Sequence, residues 1–196
     1  MSNSYMVYPS EKTLDLGTIQ MSEHHIVELF RCFAADLRII SVEIIYEDVP
    51  FEPTKIEYQV HGSKGNRITD LYLRECGIGD EELVTLSRCL WNNRNLKFLN
   101  ICGNQFTHEG VIAFADALKI NNGLKCVDIS DIHMDEEALE NIIDSLKVNQ
   151  KIKNFIFHEE DVSIEMLSEI HQILERRSSY MEKGSTTCVG KKCILL

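Results

Sequence analysis

A repeat of 28 residues constrains this chain more than any other feature, and it runs without a gap from residue 68 to residue 179. Seven apolar columns recur in its four copies. The first column shows the register: Ile68, Leu96, Leu124 and Ile152. A period of this length is typical of stacked supersecondary units, because each unit buries its apolar side only against its neighbours. We therefore expect a solenoid rather than a set of unrelated helices.

Within each copy, the apolar spacing changes from that of a strand to that of a helix. Places one, four and six alternate with polar residues, as in a strand buried on one face, and places 16, 19 and 23 have helical spacing. The residues before the helices are good N-caps: Thr107, Asp135 and Ser163. Asparagine recurs near the helix ends, where we expect left-handed backbone geometry: Asn93, Asn121 and Asn149. Each copy therefore predicts strand, turn, helix and turn, which gives a right-handed α/β solenoid with a parallel concave sheet and convex helices.

The same frame extends upstream, so that the solenoid has about six repeats. The predicted layout is a polar lead-in over 1–10, repeats over 11–38, 39–67, 68–95, 96–123, 124–151 and 152–179, and a disordered tail over 180–196. The second repeat is irregular: Ile39, Val42 and Ile44 supply its predicted strand, but Pro50 and Pro53 disfavour a helix. KIEYQV then alternates as a further strand, so we expect a hairpin-like convex side, either a tolerated irregularity or a contact site.

Two stretches, LYLRECGIGDEELVTLSRCL and LKFLNICGNQFTHEGVIAFADAL, resemble leucine-rich repeats of the ribonuclease-inhibitor type. The resemblance implies the fold, but that fold hosts inhibitors, GTPase activators, actin-capping proteins and immune sensors, so it says little about function. The family often places Asn or Cys at the ninth position, where the side chain ties successive turns together. Cys76 and Asn104 match this pattern, whereas Ile132 and Glu160 do not. We therefore expect the C-terminal turns to be looser.

Composition excludes several classes of function. A net charge of -11 argues against nucleic acid as a partner. The seven cysteines show no CxxC spacing, which favours buried thiols in a reducing compartment, and we expect neither a signal peptide nor a membrane span. His24 and His25 lack the spacing of a metal pair on a helix and are predicted to be solvent-exposed. No catalytic motif is present, so we expect a protein that is not an enzyme and has no metal or cofactor.

The concave face of the sheet is the predicted partner-binding site, because solenoids generally bind through this face. Places three, five and seven of each copy point away from the predicted core. The candidate partner-binding residues are Asp70, Tyr72, Arg74, Phe98, Asn100, Cys102, Asp128, Ile156 and His158. Tyr72 and Phe98 stand on neighbouring strands, and aromatic side chains beside polar groups are typical of a protein-binding hot spot.

The last four residues, CILL, match a CaaX box, and a final leucine favours a geranylgeranyl group on Cys193. The predicted partner of the tail is therefore a prenyltransferase of the geranylgeranyl type. One lipid gives only marginal membrane binding, so a second signal is expected. Lys191 and Lys192 lie next to the box, and Cys188 is a possible acylation site. The predicted location is the cytosolic leaflet of a membrane in a eukaryotic cell.

The favoured interpretation is a membrane-anchored adaptor that binds a protein partner, either native to a eukaryote or a bacterial effector that its host lipidates. The alternative is a GTPase-activating or GTPase-regulating protein, for which Arg67 and Arg74 are candidates by residue type alone. A third interpretation is actin capping, by likeness to the repeat domain of tropomodulin.

Overall fold

The computed structural model describes residues 3–7, 9, 12–34, 38–46, 53–61, 68–158 and 162–178. Its elements, in chain order, are β1 (Asn3–Val7), β2 (Thr13–Asp15), α1 (Glu23–Ala34), β3 (Arg38–Tyr46), β4 (Pro53–His61), β5 (Asp70–Tyr72), α2 (Asp80–Asn92), β6 (Phe98–Asn100), α3 (His108–Ile120), β7 (Cys126–Asp128), α4 (Glu136–Val148), β8 (Asn154–Ile156) and α5 (Ile164–Ser178). Short strands alternate with helices of about three to four turns, as the repeat predicts.

The main sheet is parallel and has the strand order β2-β5-β6-β7-β8. Its register follows the repeat: Asp70, Phe98, Cys126 and Asn154 are successive partners. Helices α1 to α5 pack on one another in the same order. The predicted α/β solenoid, with one strand and one helix in each repeat, is therefore confirmed.

The core is continuous between the sheet and the helices. The central residue of each short strand is buried, and so are the three apolar helix columns of α2 to α5, apart from Leu167, which is half-buried. Leu71, Leu99 and Val127 have no exposed surface, and Leu83, Leu86 and Leu90 of α2 are equally buried. Each such side chain contributes about 2 kcal/mol by leaving water. Because every repeat buries its side chains against its neighbours, the stability of one repeat depends on the next.

The prediction that residues 39–67 form a stacked repeat is wrong. Strand β2 pairs directly with β5, so no strand from this segment enters the parallel sheet. Ile39, Val42 and Ile44 lie instead in β3, which pairs antiparallel with β1 on one side and with β4 on the other. These two partners use the backbone groups that a parallel neighbour would need. The described part of the solenoid therefore has five strand–helix repeats, and the hairpin β3–β4 is inserted between the first two.

The other predictions for this region have mixed outcomes. KIEYQV lies within β4, so the extended conformation of this stretch is confirmed, whereas the turn predicted after it lies outside the described residues. The lead-in contains β1, and Val7 packs against the solenoid core. In the predicted first repeat, 11–38, Leu14, Leu16, Ile26 and Leu29 are fully buried, whereas the side chain of Phe33 lies outside the described residues.

Two edges of the solenoid are named for the argument below. The helix-end edge comprises the last four residues of α2 to α5 and the connections to β6, β7 and β8: residues 89–97, 117–125, 145–153 and 175–178. The helix-start edge comprises the connections from β5 to β8 into the first four residues of α2 to α5: residues 73–83, 101–111, 129–139, 157–158 and 162–167.

An asparagine ladder closes the helix-end edge. The Asn121 side-chain amide donates to the carbonyl oxygens of Leu90 at 2.6 Å and Asn93 at 3.1 Å. Asn149 repeats both bonds one repeat later, to Leu118 and Asn121. The expected left-handed geometry is wrong, because these residues have φ of -66° and -74°. Asparagine recurs here because its side chain satisfies carbonyls at the end of the preceding helix.

Arg177 occupies the next place in the same column and closes the ladder. Its guanidinium donates to the carbonyl of Ile152 at 2.8 Å and to that of Leu146. Leu146 stands 28 residues after Leu118, so the acceptor is equivalent to that of Asn149. Arg177 therefore bonds the preceding repeat as the asparagines do.

The helix-start edge is closed by different side chains in different repeats. Asp135 caps α4 as predicted, because its carboxylate accepts from Ala138 N at 2.8 Å. Thr107 stands at the predicted N-cap of α3, but its side chain makes no cap bond there. Asp80 of the preceding repeat does so instead, accepting from the backbone N–H groups of Thr107 and Gly110 at 2.8 Å each. A side chain on Gly110 would collide with Asp80, since its Cβ would lie 2.5 Å from Asp80 Oδ1.

The ninth column behaves as the resemblance implies where it holds Asn or Cys. The Asn104 side chain accepts from Cys76 N and Ile78 N and donates to Leu73 O and Ile101 O. The Cys76 thiol donates to Leu16 O at 3.2 Å. Ile132 is buried, and Glu160 lies outside the described residues, so looser C-terminal turns stay a prediction.

The prediction that His25 is solvent-exposed is wrong, because only 6% of its surface is accessible. Its Nδ1 accepts from the backbone N–H of Ser22 at 3.2 Å, in the manner of a capping box at the start of α1. Burial, and then the charge of His24, lower the pKa of His25.

Candidate binding surface

Tyr72 and Phe98 form the centre of the concave face, defined as the sheet surface that points away from the helices. The two residues lie on β5 and β6, and their ring centroids are 5.0 Å apart with a tilt of 43°. Both side chains are half-buried. Such a pair is worth about 1 kcal/mol beyond its buried area, so the rings hold one another in place. A partner would therefore meet a preformed aromatic surface.

A polar network lies beside the aromatic pair. The Asn100 amide donates to Asp128 Oδ2 at 2.9 Å, and both side chains are 8% exposed. The Asn100 oxygen accepts from Cys102 N, while Asp128 Oδ1 accepts from the backbone and hydroxyl of Ser130. These bonds fix the side chains on two neighbouring strands. The network therefore stiffens the surface next to Tyr72 and Phe98.

An ion pair covers the first strands of the face. Arg74 donates to Asp15 Oδ2 at 2.9 Å, and each side chain is about half exposed. Gly17 makes room for it, because a Cβ there would lie 2.6 Å from the Arg74 Nε. An exposed pair of this kind contributes about 0–1 kcal/mol. Asp15 was not among the candidate site residues, although its column predicted that it faces the same way.

The remaining candidate residues extend the face from β5 to β8. Asp70 accepts from the Thr69 hydroxyl at 2.7 Å. Ile156 is half-buried on β8, and His158 is exposed, 3.5 Å from Asp131. Because parallel strands are about 4.8 Å apart, β5 to β8 span about 15 Å of surface. The face is therefore wide enough for a peptide or for one edge of a folded partner.

Cys76 and Cys102 of the solenoid are poor nucleophiles. Burial, followed by the charges of Asp128 and Asp131, raises the pKa of Cys102 to about 11. Burial raises the pKa of Cys76 to about 12. Neither thiol is ionised near neutral pH, so neither has the thiolate that catalysis needs. Of the thiols expected to be buried, Cys76 is buried, whereas Cys89, Cys102 and Cys126 are half-buried.

Several predicted features lie outside the described residues, including Cys188 and Cys193 of the tail and Arg67 of the alternative function. Within the described residues, no group of three or more His, Cys, Asp or Glu side chains is arranged to hold a metal ion. In the same part of the chain, every helix is too short or too polar to cross a bilayer.

The parallel sheet and the strand–helix repeats give this chain the fold of a leucine-rich-repeat solenoid. A family model described as Leucine Rich repeat matches residues 92–115, which span the end of α2, β6 and the start of α3. No curated protein matches the chain.

Solved structures extend this likeness to most of the chain. One is titled Leiomodin-1 Actin-Binding Site 2; it is 15% identical over 86% of this chain and 82% of its own, with a TM-score of 0.61. Another is the tropomodulin C-terminal domain of Caenorhabditis elegans, 14% identical over 85% of this chain and 83% of its own, with a TM-score of 0.60. Likeness at these identities shows a shared fold.

Proposed function

We propose that this protein is a non-catalytic adaptor whose concave face binds a protein partner. The observation that carries the proposal is the Tyr72–Phe98 pair, held 5.0 Å apart beside the Asn100–Asp128 bond. Rigid aromatic groups next to satisfied polar groups lose little entropy when a partner covers them. The face thus has the features of an interface centre, and the thiols beside it lack the ionised form that a catalytic role would require.

Proximity labelling in eukaryotic cells, followed by binding with the purified partner, tests this proposal. Tyr72→Ala with Phe98→Ala should weaken the purified complex by about 30-fold or more, as the loss of a hot spot does. Val27→Ala with Ile112→Ala is the matched control, because both side chains are exposed on helices. If the two double variants bind equally well, the concave face is not the interface.

The second part of the proposal concerns location. A geranylgeranyl group on Cys193 would bring the adaptor to the cytosolic leaflet, and acylation of Cys188 would strengthen the attachment. The CILL ending and the neighbouring lysines support this. Intact-mass measurement of wild type and Cys193→Ser from eukaryotic cells is the test. If the wild-type protein is unmodified and fractionates like Cys193→Ser, the proposed lipid anchor is wrong. The same combination of a binding domain and a prenylated tail would also suit a bacterial effector that relies on prenylation by its host.

Actin is a second candidate partner, favoured by one specific observation. The leiomodin-1 structure that shares this fold is titled as an actin-binding site. Co-pelleting with actin filaments tests it. The expected result for an actin binder is sedimentation that saturates and is lost with Tyr72→Ala and Phe98→Ala.

GTPase regulation remains the alternative proposal. Arg74 is already paired with Asp15, so its guanidinium would have to leave this pair to reach a nucleotide. Hydrolysis assays with a panel of small GTPases are the test. Acceleration that Arg67→Ala or Arg74→Ala abolishes would replace the adaptor proposal.

A further inference from the structure

Charge is divided between the two edges of the solenoid. The helix-end edge carries nine Lys and Arg side chains and one carboxylate, that of Glu175. The helix-start edge carries ten carboxylates and one cation, Arg74, with histidine counted as neutral. Although the net charge of the chain is -11, its helix-end edge is therefore basic.

The helix dipole explains only part of this division. Cations in the last turn of a helix, such as Lys119 and Lys147, are stabilised by the negative helix end, and both also form ion pairs with carboxylates outside this edge. Five of the nine cations, however, lie beyond the helices in the connections. They are Arg94, Lys97, Lys125, Lys151 and Lys153. Lys97 donates to the carbonyl oxygens of Arg94 and Gly123, which accounts for its own position, but the other four need a further reason.

Three of these lysines form a row. Lys97, Lys125 and Lys153 directly precede β6, β7 and β8, whose first residues are register partners. Neighbouring strands are about 4.8 Å apart, so the lysines stand side by side, and like charges in this arrangement destabilise a sheet. In agreement, burial and the charge of Lys125 lower the pKa of Lys97. A polyanionic surface laid against the row would relieve this repulsion.

Exposed apolar side chains on the same edge show what kind of surface fits. Trp91, Ile120 and Val148 lie in the last turns of α2, α3 and α4 and are 46%, 51% and 60% exposed. A nucleic acid offers charge without an apolar layer beneath it. An anionic bilayer offers both, and tryptophan is favoured at its interface. The combination of cations and apolar side chains therefore favours a lipid surface.

The course of the chain and the distance between the edges agree with this choice. Helix α5 ends at Ser178 on the helix-end edge, so residues 179–196, with Lys191 and Lys192, continue from there. A helix of 13 residues spans about 20 Å. The helix-start edge is thus more than two Debye lengths of about 8 Å from a membrane at the helix-end edge. The repulsion between its carboxylates and an anionic membrane is therefore largely screened.

We propose that the helix-end edge docks onto the anionic surface of a membrane leaflet, with Trp91, Ile120 and Val148 entering the headgroup layer. Its place in the cell rests on the proposed lipid anchor, for which this edge is the second membrane signal. The docking itself needs no lipid on the protein, and it leaves the concave face open to a partner.

The test uses full-length Cys193→Ser, which carries no prenyl group, and vesicles of phosphatidylcholine containing about one third phosphatidylserine. Trp91 is the one tryptophan of the chain, so its fluorescence reports on this edge alone. We expect flotation with these vesicles but not with pure phosphatidylcholine. We also expect Trp91 to be quenched by brominated lipids. Lys125→Gln with Lys153→Gln should weaken binding by about 30-fold.

Gln20→Glu with Gln105→Glu is the matched control, because it also lowers the net charge by two but at exposed positions after β2 and β6. It should bind vesicles within about twofold of the parent protein. Absence of binding, or binding without quenching of Trp91, would overturn the docking. So would lysine-dependent binding to duplex DNA in place of vesicles. The proposed prenylation is read separately by mass, and partner binding by the Tyr72 and Phe98 variants, so each proposal fails independently.

Discussion

The helix-end edge leaves backbone carbonyls without helical partners and the helix-start edge leaves N–H groups without them, and the two edges satisfy these groups by different means. At the helix-end edge, Asn121, Asn149 and Arg177 stand in one column, and each bonds a carbonyl of the preceding repeat. At the helix-start edge, the N–H groups bond different side chains in different repeats, such as Asp80 at α3 and Asp135 at α4. A residue that recurs at one place of the repeat therefore marks the edge where the same position satisfies the backbone in successive repeats. Where no residue recurs, each repeat satisfies its backbone groups with a different side chain.

The ladder should show the largest effect on stability. Asn121→Ala removes two donated bonds, to Leu90 and Asn93, and two accepted from Gly123 N and Leu124 N, at a site that is 1% exposed. We expect a loss of about 4 kcal/mol in the free energy of unfolding, measured with denaturant. Asn122→Ala, next to it but exposed, should change stability by less than about 0.5 kcal/mol. Equal effects would show that the ladder is not structural.

On the helix-start edge, Gly110→Ala should cost about 2 kcal/mol. The new Cβ would lie 2.5 Å from Asp80 Oδ1 and 3.2 Å from Leu83 Cδ2, so α3 would have to move away from α2. Gly79→Ala is the matched control, because its Cβ would meet only the Glu82 carboxylate, at 3.2 Å. Thermal unfolding of the two variants checks this. An unchanged Gly110→Ala protein would contradict the close approach of Asp80.

Removing the cap itself should have a smaller effect. Asp80→Ala should lose about 1.5 kcal/mol, whereas Glu81→Ala, an exposed neighbour, should lose little. Burial acts to raise the pKa of Asp80, but hydrogen bonds from Thr107 and Gly110 bring it below its usual value of 3.8. The contribution of Asp80 is therefore complete above pH 3.8 and is lost as the pH falls through the folded-state pKa. A difference between wild type and Asp80→Ala that does not shrink on acidification would exclude this cap.

His25 should give the smallest effect. Its folded-state pKa lies below 6.5, so the unfolded chain binds the proton more readily. The stability that neutral His25 contributes is present above pH 6.5 and declines as the pH falls below that value. Denaturant unfolding at pH 7.5 and pH 5.5 measures the decline, which should be less than about 1 kcal/mol. His25→Gln, which retains an acceptor, should remove it; the same decline in both proteins would place its source elsewhere.

The sequence was enough to predict the solenoid because the spacing of its apolar residues can be read directly from the chain. Ile68, Leu96 and Leu124 recur at a fixed distance and have one place to be buried. The role of residues 39–67 was not predictable in the same way. Ile39, Val42 and Ile44 alternate as a repeat strand would, and alternation does not say which partner a strand chooses. The choice depends on β1, more than 30 residues earlier in the chain.

The concave face shows the same limit at the level of single side chains. The columns predicted that Tyr72 and Phe98 lie on one surface, and the structure places their rings in contact. The columns did not predict that Arg74 pairs with Asp15, because these residues are 59 positions apart and the pairing depends on β2 standing next to β5. A count of charges at each place of the repeat would have revealed the two edges from the sequence alone.

The asparagine ladder also makes the protein extensible. Asn121 and Asn149 use the same two acceptors, one repeat back, so a duplicated copy of residues 96–123 inserted after Gly123 would find its hydrogen-bonding partners already in place. Arg177 would still close the array, because its partners are Leu146 of the copy before it and Ile152 of its own copy. Longer versions of this protein could thus be assembled by tandem duplication, with a broader surface and unchanged ends.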